Sequence, residues 1–536
     1  MDSVKQSPLM KYVRAVKALP DGILNWHLIL SVVTFALSGC PKGWDEGAAA
    51  AITQLKSFRN EYNLDAELDA STISNLVSFV NIGAGIGAFL SFFLNDRIGR
   101  IWSMRLYQIT YAIGSLISCF SYGHQGALYV GRIVAGLGIG ACTVVGPMAI
   151  AEMAPKTVRG LMTLWFNICM LSGQAIGVFS VYGVNMHISS TKTFQNQVPW
   201  FVQTFVPVIA IALSFFASES PRWLAIKGRP QEALAALVKL RGLPESHPYV
   251  QDEYSQLVSH IEDETSQFGE QSFASVVKET FCVRSNLRRV QLTIIAYILA
   301  QFSGANSITN YLPTIFGLVG VTGTDVKVYS SGLYSIAKLI CCVIASLVFV
   351  DVLGRRRSLM IGISIQAVCH AYLCGYLRFY TRDPDSVTAG ASDAAIAIIY
   401  VHALGWAVGL YTLPYLFGAE LWPNRIRSFG GALSQCFHWL FYFAITKATP
   451  SILSSMDIWG AFFFFVAWCV VAFLYTLFFV PETSGLSLDD MDAIFQRPIY
   501  KLRQPLPNRS ELDEETTLSA EKMEFAAQFA THSEHK

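Results

Sequence analysis

Three charged side chains, Lys42, Asp45 and Glu46, interrupt a segment that is otherwise apolar or small from residue 28 to residue 51. Side chains of these types can pair, carry a proton or hold a charged solute. Inside a bilayer each is expensive unless it is paired or faces water. The stretch "GCPKGWDEGAAAA" (39–51) is therefore either the outer end of a helix, with Lys42 balancing two acids at the mouth, or a working part of a pore. Other chemistry is poorly supported. No His, Cys, Asp or Glu cluster has metal-ligand spacing, and no serine has a nucleophile-elbow context. "GLGIG" (136–140) lies in an apolar run without a strand-turn-helix unit, and no Walker sequence is found. An enzyme, a cofactor, a bound metal and ATP-driven work are not expected.

The elements that must position these residues follow from composition. Of 536 residues, 53% are hydrophobic and 14% charged, against about 25% charged in soluble domains. Net charge is +1, which gives no reason to expect a nucleic-acid partner. The 11 cysteines lie mostly in apolar runs (Cys142, Cys169, Cys341, Cys342, Cys469) and read as small hydrophobes. Apolar stretches near spanning length fall at 28–50, 74–94, 104–122, 128–151, 162–184 and 201–219. Six more, at 287–312, 329–350, 358–378, 393–418, 430–449 and 458–480, follow a polar stretch at 221–286. The basic clusters "NDRIGR" (95–100), "PKTVRG" (155–160), "DVLGRRR" (351–357) and "WPNRIR" (422–427) all fall on one side, which the positive-inside rule makes cytoplasmic. The expected layout is a cytoplasmic tail (1–27), a first unit (28–219), a cytoplasmic loop (220–286), a second unit (287–480) and a second cytoplasmic tail (481–536). Within the loop, "RPQEALAALVKL" (229–240) has an amphipathic helical pattern. The triplet "NRS" (508–510) falls on the cytoplasmic side of this topology, where glycosylation is not expected.

The two units echo each other. "DRIGR" (96–100) recurs as "DVLGR" (351–355), "EMAPKTVR" (152–159) as "ELWPNRIR" (420–427), and "SESPRWL" (218–224) faintly as "VPETSGLSL" (480–488). Order and spacing are kept, as a parallel duplication of six-helix units would leave them.

Taken together, the motifs resemble the sugar porter family of the major facilitator superfamily, in its fungal form. They are the two Asp-x-x-Gly-Arg turns, "GRIVAGLGIGACTVVGPMAIAEMAPKTVRG" (131–160), "ESPRWLAIKGR" (219–229), "QFSGANSITNY" (301–311) and "PETSGLSLDD" (481–490). The resemblance implies an all-α membrane protein with the major facilitator fold: 12 transmembrane helices in two six-helix bundles around a central site. It implies secondary transport of a sugar, polyol or sugar acid by alternating access, with protons, the lipid bilayer and a small-molecule substrate as partners. A monomeric functional unit and the plasma membrane are further expectations. Export of a metabolite, passive facilitation and nutrient sensing remain open alternatives.

The resemblance also distributes roles. Asp45, within "GWDEG", matches the family's protonation site, with Arg132 as its partner. Asp96, Arg100, Glu152, Arg159 and Glu219 in the first half form a cytoplasmic gate network, as do Asp351, Arg355, Glu420, Arg427 and Glu482 in the second. Substrate contacts carry over to Asn167, Gln174, Gln301, Asn306, Asn310, Tyr415, His438 and Trp439. Several depart from the family's usual amide or aromatic, and His438 adds an imidazole. Gly83, Gly85 and Gly87 in the second expected span and Gly131, Gly136, Gly138 and Gly140 in the fourth give two faces of minimal side-chain volume, read as close helix packing. Lys447 is expected to reach the outer interface or to attract an anion together with Lys42.

Overall fold

The computed structural model describes residues 14, 16–17, 19–64, 70–268, 273–349, 353–383, 386–411, 421–423, 426–482 and 494–495. Every regular element among them is helical. The first expected span is two helices, α1 (Trp26–Leu37) and α2 (Cys40–Ile52). Asn25 caps α1 by accepting from Leu28 N–H at 3.0 Å, and Pro41 opens α2. Proline lacks an N–H to donate, so it suits a helix's first turn and breaks its interior. All 13 residues of α2 are buried, so its charges lie inside the protein.

A short α3 (Lys56–Glu61) leads to α4 (Ala70–Ile98), α5 (Arg100–Cys119), α6 (Gln125–Met153) and α7 (Arg159–His187). The sixth span, expected at 201–219, begins earlier and is two helices, α8 (Phe194–Val202) and α9 (Phe205–Ser214). The polar stretch folds as α10 (Pro221–Ile226), α11 (Pro230–Arg241), α12 (Pro248–Phe268) and α13 (Phe273–Cys282). The expected amphipathic helix is α11. Next, α14 (Arg284–Phe302), α15 (Ala305–Asn310) and α16 (Leu312–Leu318) replace one continuous seventh span. Then come α17 (Thr324–Ile344), continued by a π turn over Ala345–Phe349, and α18 (Arg355–Tyr380). A second π turn, Ala407–Tyr411, ends α19 (Ala389–Trp406). The last long helices are α20 (Arg427–Ser455) and α21 (Trp459–Phe479).

Among the described residues, eight helical segments are long and apolar enough to cross a membrane: Ser71–Ile98, Gln125–Met153, Arg159–His187, Phe194–Ser214, Thr324–Leu347, Arg355–Tyr380, Ala389–Tyr411 and Trp459–Phe479. The other expected spans, within 26–52, 100–119, 284–318 and 427–455, are helical but broken or more polar. They carry Lys42, Asp45, Glu46, Arg100, Arg105, Gln301, Asn306, Asn310, His438 and Lys447. On the outside of α21, Phe463, Val470, Leu474 and Phe478 are about half exposed, an apolar face suited to lipid.

Packing of α4 on α6 depends on their glycines. A Cβ on Gly83 or Gly87 would lie 2.0–2.1 Å from the carbonyl oxygens of Ile133 and Leu137. Added at Gly136 or Gly140, it would lie 2.1 or 1.8 Å from those of Val80 and Ala84. The two backbones touch, as small residues allow in membrane helices. The other face of α4 meets α20, while α7 meets α2 on one side and α17 on the other.

Candidate functional site

Asp45 on α2 and Arg132 on α6 form a two-pronged ion pair. Arg132 Nη1 donates to Asp45 Oδ1, and Nη2 donates to Oδ2 at 3.0 Å. Arg132 Nε donates to the Leu76 carbonyl at 2.8 Å, and the guanidinium lies 5.4 Å from the Trp200 ring centre. Asp45 is 3% exposed and Arg132 is 1% exposed. The acid is buried among helices and matched by the planar fork of an arginine.

Glu46 engages different partners. Lys42 Nζ is 3.4 Å from Glu46 Oε2, one turn apart on α2. The Tyr442 hydroxyl, from α20, donates to Glu46 Oε1. Asn310 Nδ2 donates to the same hydroxyl at 3.1 Å and to Thr446 Oγ1 at 3.2 Å. A small cavity lies here, lined by Lys42, Asp45, Glu46, Asn81, Arg132, Asn310, Trp439 and Tyr442 among others.

A second small cavity is lined by Lys42, Gln301, Asn306, Trp406, Tyr411 and His438 among others. Asn306 Nδ2 donates to Gln301 Oε1 at 2.6 Å, and Gln301 Nε2 is 3.1 Å from His438 Nδ1, which accepts. Three of the expected substrate residues thus form one chain of hydrogen bonds. Asn310 and Trp439 belong to the first cavity. Asn167 accepts from the Tyr411 hydroxyl at 3.0 Å, at the rim of the second. Gln174 is buried on α7, near the α2 backbone at Gly43 and Gly47. Tyr415 lies outside the described residues.

Two residues went unnoticed in the sequence. Tyr442 contacts Glu46 across 396 positions, which no local pattern signals. Lys338, on α17, is 1% exposed; its Nζ donates to Thr309 Oγ1 at 3.3 Å and lies 4.1 Å from the Trp406 ring centre. A single lysine in the apolar run 329–350 was the available signal.

At the basic end, Arg100 gathers the first gate network. It donates from Nε and Nη2 to Glu152, both at 2.8 Å, and from Nη1 to Asp96 at 2.9 Å. Glu219 accepts from the backbone N–H groups of Arg100 and Ile101 at 3.0 and 3.1 Å. Burial raises the Glu219 carboxyl above its ordinary range, opposed by those N–H groups and the Arg100 guanidinium. Glu482 repeats the arrangement on Arg355 and Arg356 N–H, at 2.9 and 3.2 Å. Each acid sits at the positive end of a helix. Gly99 (φ 91°) and Gly354 (φ 82°) make this possible, since a Cβ on either would come 2.7 Å from the carboxylate. Arg159 opens α7, but the Glu152 oxygens go to Arg100. Asp351 and Glu420 lie outside the described residues, as does the Arg427 side chain.

The α4–α20 seam is closed along its length. Phe92 and Phe429 meet edge-on at 5.6 Å near the basic end. Farther along, a Cβ on Gly85 would be 3.6 Å from Trp439 Cβ. Towards the opposite end Lys447 donates to Ser74 Oγ at 3.0 Å and to Asn75. Lys447 thus joins α20 to α4 at that end. Asn185 donates to Asp325 between α7 and α17.

Comparison with known proteins assigns the class. Residues 31–495 match the family described as sugar (and other) transporter, and the chain belongs to that family. It is a multi-pass membrane protein that carries small molecules by secondary transport, not an enzyme. It is 28% identical over 508 residues to a probable quinate permease of Aspergillus terreus, covering 92% of each chain. The quinate permease of Emericella nidulans is 27% identical over 496 residues, covering 91% of this chain and 92% of that one. Its fold is similar to that of the proton:xylose symporter XylE bound to 6-bromo-6-deoxy-D-glucose (TM-score 0.72, 21% identity, 88% and 99% coverage). A partially occluded inward-open form of XylE from E. coli gives a TM-score of 0.70 at 20% identity, covering 87% of this chain and all of that one.

Proposed function

We propose that this protein is a proton symporter for a polyhydroxylated, sugar-like solute, with Asp45 as the proton carrier and Arg132 as its partner. The observation that carries the reading is the buried Asp45–Arg132 fork in the wall of a central cavity. An acid held by a guanidinium can exchange that partner for a proton when the cavity opens, which ties helix movement to proton movement. Gln301, Asn306, Asn310 and His438 offer donors and acceptors to hydroxyls, and Trp439 in the wall of the first cavity offers indole surface to a ring. Trp439 Nε1 is buried with no partner among the described residues, a donor a ligand hydroxyl can satisfy. Relatives named for quinate, a hydroxylated ring, and a structural neighbour named as a proton symporter support the same reading.

In this proposal twelve membrane spans form two six-helix bundles, 28–219 and 287–480, that rock about the site as a monomer in the plasma membrane. Both tails and the loop 220–286 are cytoplasmic. The Arg100 network then latches the cytoplasmic ends while the cavity opens outward, and breaks as it opens inward. Purified protein in liposomes tests the reading. Labelled quinate or hexose should accumulate when a pH gradient, outside acid, is imposed, and a protonophore should abolish accumulation while sparing exchange. Equal uptake with and without the gradient would contradict symport.

A further inference from the structure

We infer that the outer seam between α5 and α9, at the basic end, binds the phosphate of an anionic phospholipid, with Arg105 as its anchor. This needs only that the chain spans a membrane and is independent of the transport reading. The two helices pack against each other. Trp102, Leu106, Ile109 and Ile113 recur every three or four residues on α5 and are well exposed, as are Phe215 and Phe216 just past the end of α9. Such a stripe meets lipid. Arg105 lies beside it, only 9% exposed, with its guanidinium 4.6 Å from the Trp102 ring centre and 4.2 Å from that of Phe215. One edge of the guanidinium is committed. Nε donates to Ser214 Oγ at 2.7 Å and Nη2 to the Ser214 carbonyl at 3.1 Å, capping the last turn of α9. The other edge is not: Nη1 donates to nothing among the described residues and is not enclosed by them.

Charge determines what belongs there. Among the described residues Arg105 has no carboxylate partner. The acids nearest in sequence to Arg105 and Ser214 are occupied: Asp96 binds Arg100, and Glu219 accepts from the N–H groups of Arg100, Ile101 and Ser220. The negative end of α9 offsets only about half a unit of charge. Arg105 is five residues beyond Arg100, about 7.5 Å of helix rise. It therefore sits close to the basic end, beside a tryptophan of the kind that gathers at headgroup depth. At that depth the plentiful anion is a lipid phosphate, whose oxygens match the paired N–H groups of a guanidinium edge. A zwitterionic headgroup brings its own ammonium and leaves the sum of charges unchanged, whereas an anionic one cancels the arginine's. The acyl chains then lie along Leu106, Ile109 and Ile113, while the two rings hold the guanidinium in place.

Native mass spectrometry tests this on the full-length protein, delipidated in detergent and titrated with phosphatidylserine or phosphatidylcholine of the same acyl chains. The parent should bind phosphatidylserine about fivefold more tightly, the discrimination that one charge near the surface supplies. Arg105→Gln should bring the two lipids to within about twofold of each other, and Arg105→Lys should keep part of the preference. In nanodiscs, phosphatidylserine should raise the parent's thermal midpoint above that in phosphatidylcholine alone, and inorganic phosphate should not. Equal binding of the two lipids by the parent overturns the inference. So does an Arg105→Gln midpoint lowered equally in both lipids with the preference intact, which makes the arginine a helix cap only. Stabilisation by inorganic phosphate equal to that by the lipid makes this a free-anion site and also overturns it. If Arg105→Gln does not assemble, phosphatidylserine carrying a headgroup photocrosslinker is applied to the parent. Adducts should map to peptides spanning 102–106 or 214–216, and adducts only elsewhere overturn the assignment.

Discussion

At the scale of single residues, α2 assigns different work to adjacent acids. Asp45 faces α6 and is matched by Arg132, whereas Glu46 faces α20 and is matched by Lys42 and Tyr442. In the proposed mechanism only the first pair sets the proton count. Lys42→Ala should therefore leave the proton-to-substrate ratio at the parent's value. Parallel fluxes of label and protons in liposomes check this, and a lowered ratio would place Lys42 in the coupling step. The Tyr442→Phe variant removes a hydrogen bond to a charged group, of the kind that contributes about 1.5–3 kcal/mol. It should lower the thermal midpoint of the unliganded protein, measured by scanning fluorimetry; an unchanged midpoint would make the contact incidental. Asp45 and Arg132 were legible because motif and charge coincided there. Lys338 was not singled out, because it sits alone in an apolar helix and its partners Thr309 and Trp406 are close only after folding.

At the scale of helices, polar residues and breaks occur together. Pro41 separates α1 from α2, and Gly304, at φ 86°, separates α14 from α15. Both breaks turn short helical segments carrying Asp45, Glu46, Asn306 and Asn310 towards the cavities. The sequence reading draws each as one continuous span, because hydropathy does not register a break made by a single proline or glycine. The glycine ladder between α4 and α6 was legible as packing, and its contacts are backbone to backbone. Replacing Gly140 with Val should force the helices apart at a cost of about 1–3 kcal/mol or more. Size-exclusion chromatography should then show little monodisperse protein, and a normal profile would contradict the close approach. In the gate, Glu152→Gln leaves Arg100 with a neutral partner in place of a carboxylate. Transport should fall several-fold with the protein still in the membrane, and cytoplasmic-side cysteine labelling should rise. Normal rate and labelling would remove the latch role.

At the scale of the whole molecule, the repeat written in the sequence reappears as matched geometry. Glu219 on the Gly99–Arg100 turn and Glu482 on the Gly354–Arg355 turn are the same device used twice. Contacts between α4 and α20, by contrast, had no signal in a single chain. They follow from how two helical units face each other, and nothing in either unit's periodicity specifies its partner. Cysteines at Gly85 and Trp439, in a background without the native 11, should link on oxidation, since about 3.5–4.5 Å between Cβ atoms suits a disulfide. Mass spectrometry of the joined peptides would detect the bond; its absence would contradict the closed seam. Proton coupling at Asp45 is tested most directly by substrate-induced proton movement in liposomes containing the parent or Asp45→Asn. The parent should move protons inward with substrate. Asp45→Asn should move none above leak while still exchanging labelled for unlabelled substrate. Proton movement by Asp45→Asn at the parent's stoichiometry would contradict the assignment of Asp45 as the proton carrier.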